Sequence, residues 1–319
     1  MAGEAGAARR SETLAERGPA LAAERAPTRA RAIDRFVLLK PRVMSLVVFT
    51  GAVGFLLAPG PVDWLNLVAA LAAMAAGAGA CGALNMWWDG DIDAQMARTA
   101  RRPIPRGAVD PREALAIGAF LSAVSVAALG LRVNWLAAGL LALTIVIYVP
   151  VYTIWLKRRT PLNIVIGGAA GALPPMIGWA AAAGAIDAGP LALFLFIFLW
   201  TPPHFWSLAL CRSGDYQRVG VPMLPNVVGP VETCRQIAIY AAMLIAASFT
   251  PLIIPRVGLA YGLIAAALDA ALMWRVLRLY WLRNGPEAEQ RKVALGLFGF
   301  SILYLFALFV ALGVTAIAF

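Results

Sequence analysis

The chain has 319 residues, of which 61% are hydrophobic and only 14% charged, with a mean hydropathy of +0.77 and a formal net charge of +10. Apolar runs of about 18 to 25 residues recur along it, more than a water-soluble core absorbs, so the composition excludes a soluble globular protein and defines a polytopic membrane protein. In lipid every backbone polar group must be satisfied internally, and long runs rich in Ala, Leu and Gly lack the alternation of a barrel, so the fold class is all-α.

Residues 1 to 34 are rich in Ala, Arg and Glu and contain no apolar stretch. They lack the h-region of a signal peptide, and their four glutamates argue against a mitochondrial transit peptide, so they read as a disordered cytoplasmic tail ahead of one membrane domain, 35 to 319. Nine transmembrane helices are expected in that domain, at 43 to 59, 64 to 84, 113 to 131, 135 to 155, 162 to 183, 190 to 210, 235 to 254, 257 to 279 and 293 to 317. Of the 27 Lys and Arg residues, all but Arg132 and Arg256 fall on one side of that arrangement. The positive-inside rule makes that side cytoplasmic, which places the N-terminus inside and the C-terminus outside. The net charge therefore reads as topology and attraction to anionic lipid headgroups rather than as a nucleic-acid surface.

The charged segments come in chain order on that one side. "KPR" (Lys40 to Arg42) stands at the mouth of the first span, and "NMWWDGDIDAQMARTARRPIPR" (Asn85 to Arg106) follows the second. Asn85, Asp89 and Asp93 are spaced i, i+4, i+8, so a helix continuing past the membrane surface lines them on one face, while Asp91 points elsewhere. Oxygen-bearing side chains converging in this way suit a hard cation such as Mg²⁺, which favours a few carboxylates, waters and phosphate oxygens. The plainer reading is that these carboxylates solvate a helix end and pair with neighbouring arginines. Acidic residues at a helix C-terminus oppose its dipole, however, so capping alone does not select them. Arg42, Arg98, Arg102, Lys157 and Arg158 supply cations able to neutralise a diphosphate leaving group; each alone could be a topology determinant.

After the fourth span comes "YTIWLKRRTPLN", and through the sixth "TPPHFWSLALCRSGDYQRVGVPMLP". His204 is the chain's single histidine and lies inside an apolar run. It could orient or ligate a metal macrocycle, carry a proton, or make a hydrogen-bonded packing contact. Tyr148 and Tyr152 serve either as interfacial anchors or as π-faces toward a cationic intermediate. Cys81, Cys211 and Cys234 show no metal-ligand spacing, and Asp269, alone within the eighth span, suggests a partner on a neighbouring helix.

Taken together, "LLKPRVMSLVVFTG", "GALNMWWDGDIDAQMARTARRPIPRG", "YTIWLKRRTPLNIVIGGAAGALPPMIGW", "WTPPHFWSLAL" and "DYQRVGVPMLP" resemble the intramembrane prenyltransferases of the UbiA type, and within them the branch that farnesylates heme. The resemblance implies a nine-helix bundle around a central cavity in the bacterial inner membrane, with the active site on the cytoplasmic side. It implies farnesyl diphosphate and heme B as substrates, heme O as product and Mg²⁺ as cofactor, with a heme A synthase or an oxidase assembly partner downstream. Matched residue by residue, Asn85, Asp89 and Asp93 hold metal and diphosphate, and Arg42, Lys157 and Arg158 contact the diphosphate. The family's second acidic motif is reduced here to Asp215, taken as a fourth catalytic and metal residue, while His204 suits a heme acceptor. A UbiA-type enzyme for a quinone or chlorophyll-like acceptor would share the first motif and would be expected to carry paired second-motif acids. A membrane transporter would instead show inverted repeats and charges near the midplane.

Overall fold

The computed structural model describes residues 31–318, and the side chains of Arg42, Val43 and Ala318 lie outside that description. The tail expectation for residues 1–30 therefore falls outside it too. All regular elements among the described residues are helical. In chain order they are α1 (Ala32–Leu38), α2 (Pro41–Leu57), α3 (Trp64–Trp88), α4 (Gly90–Gln95), α5 (Pro111–Arg132), α6 (Trp135–Val146), α7 (Asn163–Ala172), α8 (Pro174–Ala183), α9 (Ala188–Cys211), α10 (Ser213–Arg218), α11 (Leu224–Ser248), α12 (Leu259–Trp281) and α13 (Glu287–Ala318).

Eight of the described helical segments are long and apolar enough to cross a membrane. The first expected span is shorter, a 17-residue helix closed at Leu57 where Ala58 turns extended ahead of Pro59-Gly60-Pro61. It belongs to the bundle all the same, packed on α3, α8 and α13, so the last helix meets the first. Three segments carry most of the buried surface: α3, the α7–α8 pair and α9, with 61%, 72% and 67% of their apolar windows covered, against 28% to 39% for the other five crossing segments. These form the middle of the bundle, and the other crossing segments face lipid.

Several expected spans are interrupted for local reasons. The fourth passes from α6 into a π-helical stretch, Ile147–Leu156, with Pro150 inside it. Proline has no N–H to donate to the ladder, and the wider turn accommodates that loss. Thr153 Oγ donates to the carbonyl of Tyr148 at 2.8 Å within the same wide turn. The fifth breaks at Leu173, where Pro174 and Pro175 begin a new helix. The seventh starts at Leu224, eleven residues ahead of expectation, because Gly229 takes a left-handed φ of 82° and lets the chain bend before Pro230 restarts the helix. The expected tail ends early as well, since α1 begins at Ala32.

Glycines set the closest approaches. A Cβ on Gly54 would lie 2.1 Å from the Pro175 carbonyl oxygen, and one on Gly178 only 1.9 Å from that of Gly51, so α2 and α8 touch backbone to backbone. Small residues are how membrane helices gain close contact where lipid leaves no hydrophobic driving force between them. The same device joins α1 to α3: a Cβ on Gly82 would lie 2.9 Å from the Leu38 oxygen, and one on Gly79 would crowd Leu39. Leu38 is fully buried beside Ala83, Met86, Ile104, Val109 and Ala114. Asp34 accepts from Arg106, and Arg35 pairs with Glu113 at 2.5 Å, which ties α1 to the loop after α4 and to α5.

Candidate active site

The charged segments converge at one end of the bundle, where α3 gives way to α4. Asp89 caps α3 with φ −86° and ψ 6°, a small step in the helix path. Backbone bonds from Asp89 to Asn85 (3.0 Å) and from Asp93 to Asp89 (2.8 Å) keep the i, i+4 connection across that step. The expected common face thus survives in two short pieces rather than one continuous helix. Asn85, Asp89 and Asp93 are all buried, Asp89 completely.

Each carboxylate already faces a cation. Lys157 donates to Asp89 Oδ2, and Arg102 donates to Asp93 Oδ2 at 2.6 Å. Arg158 binds both oxygens of Asp91 at 2.7 Å and lies 4.0 Å from Asp89. Asn85 is the hub: its amide nitrogen donates to Asp89 Oδ2 (2.7 Å) and to Thr153 Oγ (3.2 Å), and its oxygen accepts from Lys40 at 2.5 Å. In this arrangement the Asn85 oxygen, expected to face metal and diphosphate, accepts from Lys40.

Lys40 is the residue that sequence reasoning passed over in favour of Arg42. It precedes α2 in the left-handed conformation (φ 52°), and the close approach at Gly79 and Gly82 brings it over α3. Burial, and then the nearby Arg102, push its pKa down to about 7. Lys157 shows the opposite balance, since burial alone would lower it but Asp89 and Tyr152 outweigh that and raise it above an ordinary lysine. The signal for Lys40 was the motif "KPR" itself, in which the first basic residue is as available as the third. The side chain of Arg42, in the first turn of α2, lies outside the described residues.

Other expected site residues fall differently. Arg98 is exposed and makes no ion pair among the described residues. Asp215 sits on the six-residue α10 between Arg212 (3.8 Å) and Arg218 (3.6 Å), its i±3 neighbours. Among the described residues no three His, Cys, Asp or Glu side chains gather closely enough to hold a metal, so Asp215 is not drawn into one cage with Asp89 and Asp93. The loop that carries it still closes over the site, with Val219, Val221 and Met223 packed on Ile92 and Met96, and Tyr152 and Tyr216 at the edge. Tyr148 and Tyr152 project from the π-helical stretch with ring centroids 5.6 Å apart, both within electrostatic reach of Asp89.

One oxygen in this network lacks a hydrogen bond. Asp89 Oδ1 is buried and accepts no hydrogen bond, and close by Trp88 Nε1 and Arg158 Nε are buried donors with no acceptor. A hard cation on the acceptor and anionic oxygens on the donors would complete all three, so the residues present fit a magnesium ion with a phosphorylated ligand.

His204 lies apart from this cluster, on α9. Its ring stacks between Trp200 (4.2 Å) and Phe298 (4.6 Å), and Nδ1 is 2.7 Å from Ser301 Oγ. Ser301 Oγ also lies 2.7 Å from the Phe298 carbonyl. With the hydroxyl proton directed there, Ser301 accepts from Nδ1–H and Nε2 of the neutral imidazole carries the lone pair; with it directed to Nδ1, the tautomer is reversed.

A helical membrane bundle with a buried NxxxDxxxD motif under a ring of cations at one end is the arrangement of an intramembrane prenyltransferase, and the chain belongs to the UbiA prenyltransferase family, which it matches over residues 47–303. Within that family it is 57% identical over 276 residues to the protoheme IX farnesyltransferase of Parvibaculum lavamentivorans, covering 86% of each chain. It is 55% identical over 303 residues to that of Sinorhizobium fredii, covering 94% of each. A solved UbiA homolog from Archaeoglobus fulgidus, bound to GPP and Mg²⁺, shares the fold with a TM-score of 0.64 at 20% identity, over 90% of this chain and 100% of that one.

Proposed function

We infer that the protein transfers the farnesyl group of farnesyl diphosphate to a vinyl group of heme B, giving heme O and diphosphate. The observation that carries this reading is buried Asp89, one oxygen of which accepts no hydrogen bond, among Lys40, Arg102, Lys157 and Arg158, in a chain 57% identical to a protoheme IX farnesyltransferase. Asp89 and Asp93 are the groups that would hold Mg²⁺, and when bound the ion would neutralise charge on the departing diphosphate.

The chain's own residues do the rest. Lys157 and Arg102 turn from the carboxylates to phosphate oxygens, and Lys40 adds a third cation from Asn85. As the C1–O bond of the substrate breaks, its electron pair leaves on diphosphate, and preorganised cations stabilise that charge; removing one such partner costs about 3 kcal/mol of barrier. The apolar interior beneath Asp89 keeps water from the allylic cation, with the Tyr148 and Tyr152 rings at its wall. The vinyl π-electrons then form the new bond to C1, and a water adds to the resulting cation beside the macrocycle, loses a proton and becomes the hydroxyl of heme O.

His204 supports the acceptor assignment. In the tautomer that donates Nδ1–H to Ser301, its Nε2 lone pair suits the iron of heme B, which enters as substrate. The site lies on the basic side of the bundle, which we take as the cytoplasmic side of a bacterial inner membrane, and heme O would pass to a heme A synthase or an oxidase.

Purified protein with farnesyl diphosphate, heme B and Mg²⁺ is expected to release one diphosphate per heme O formed, read by chromatography and mass. Prenylation of a phenolic or chlorophyll-like acceptor with heme left unchanged would overturn the acceptor.

A further inference from the structure

A second cationic site lies between the last two spans, at the same end of the bundle as the charged network. A cleft of about 530 Å³ opens there, lined by Arg275, Arg278, Lys292, Glu289, Trp274 and Gly296. Among the described residues none of its three cations pairs with a carboxylate, its own Glu289 included.

Arg275 is the informative member. It stands six residues before the end of α12, about 9 Å below it along the helix axis. A cation at that depth ordinarily extends its side chain outward to reach water. Arg275 does not: its guanidinium lies 4.0 Å over the Phe300 ring and donates to the Ala271 carbonyl, one turn deeper, at 3.2 Å. It is thus held in place inside the cleft with most of its donors unused. Arg278 and Lys292 stand at the mouth, and a Cβ at Gly296 would meet nothing within 4 Å, so the wall there is open. Trp274, 55% exposed, marks the membrane interface beside it, and exposed Leu303 and Val310, seven and fourteen residues beyond Gly296 on the same helix face, continue along α13 as an apolar track.

We propose that this cleft binds an anionic phospholipid of the surrounding bilayer, its phosphate on Arg275, Arg278 and Lys292 and its acyl chains along α13. The charge complementarity selects an anion, and the apolar track selects one that carries hydrocarbon chains. The site is separate from the prenyl-transfer residues: on α13, Phe300 and Gly296 face α12, whereas Phe298 and Ser301 face His204 on α9.

The test uses the full chain in phosphatidylcholine nanodiscs with and without phosphatidylglycerol, and native mass spectrometry of protein released from them. Wild type is expected to retain one phosphatidylglycerol. R275Q/R278Q/K292Q is expected to lose it, with apparent affinity falling about tenfold or more. A control that removes three cations from the same face outside the cleft, R101Q/R112Q/R235Q, is expected to keep it. Helical circular dichroism of each variant in phosphatidylcholine establishes folding, and the milder R278Q, expected to show an intermediate loss, serves should the triple variant not fold. Retention of phosphatidylglycerol by the folded cleft variant, equal loss in the control, or displacement of the lipid by millimolar inorganic phosphate would overturn the proposal.

Discussion

The coupling between Asp89 and Lys157 separates a structural role from a chemical one. Asp89 is fully buried, with Lys157 on one oxygen and Arg158 4.0 Å from the other. At an effective dielectric constant of about 20, a pair at that separation attracts by about 4 kcal/mol before desolvation is counted. Removing one member of a buried pair strands the other charge, at a cost of about 3 to 5 kcal/mol, whereas replacing both by neutral groups of similar size is close to neutral. Asp89→Asn and Lys157→Met are each expected to lower stability by about 3 kcal/mol, and the double variant to recover most of that loss. All three should have lost heme O formation, by about a hundredfold or more, because the proposed phosphate cation or metal carboxylate is gone. Thermal melting in detergent reads stability, and chromatography of heme products reads turnover. Single-variant losses that simply add in the double variant, or Asp89→Asn turning over near the wild-type rate, would refute the reasoning.

Gly82→Ala places a methyl 2.9 Å from the Leu38 oxygen, so α1 and Lys40 must shift off Asn85; an increase of about tenfold in KM for farnesyl diphosphate is expected, with a smaller change in kcat. Asp91→Asn breaks the two-pronged contact with Arg158 without touching Asp89 or Asp93, and should lower turnover far less than Asp89→Asn while exposing the 157–162 connection to protease. Ser301→Ala frees the Nδ1–H of His204, and titration of heme B is expected to show a shifted absorption spectrum and an affinity weaker by about tenfold; His204→Ala should remove the spectral signature, and an unchanged spectrum in both would exclude His204 as an iron ligand. Chelation with EDTA should abolish turnover, with Mg²⁺ restoring it in wild type and failing to do so in Asp89→Asn.

Hydrophobic run length was enough to place nearly every membrane segment, because no water-soluble alternative could bury them. What run length does not carry is the local geometry. Pro150 and Pro174 look alike inside apolar runs, yet one is absorbed by a wide π-helical turn and the other ends a helix. In the site, the spacing of Asn85, Asp89 and Asp93 was legible because helix periodicity alone brings them together. Lys40 was not, since its position depends on a left-handed turn and on two glycines of another helix. Arg98 and Arg102 are four residues apart and equally basic, but the loop that follows α4 buries only Arg102 against Asp93. Asp91 was discounted for pointing off the shared face; it does so, and the structure uses that direction to hold Arg158.

The three carboxylates of the α3–α4 corner and the three cations set against them, Arg102, Lys157 and Arg158, cancel in formal charge, with Lys40 resting on an amide. In the proposed reaction the acidic motif would be a tethered competitor of the product: as diphosphate loosens, a carboxylate would already be at high effective concentration beside each cation it vacates. Rebinding would be countered from within the chain, and a site gripping a trianionic substrate strongly enough to break its bond need not be clogged by the diphosphate produced. Each proposed turnover would then close on the same neutral salt cluster from which it began.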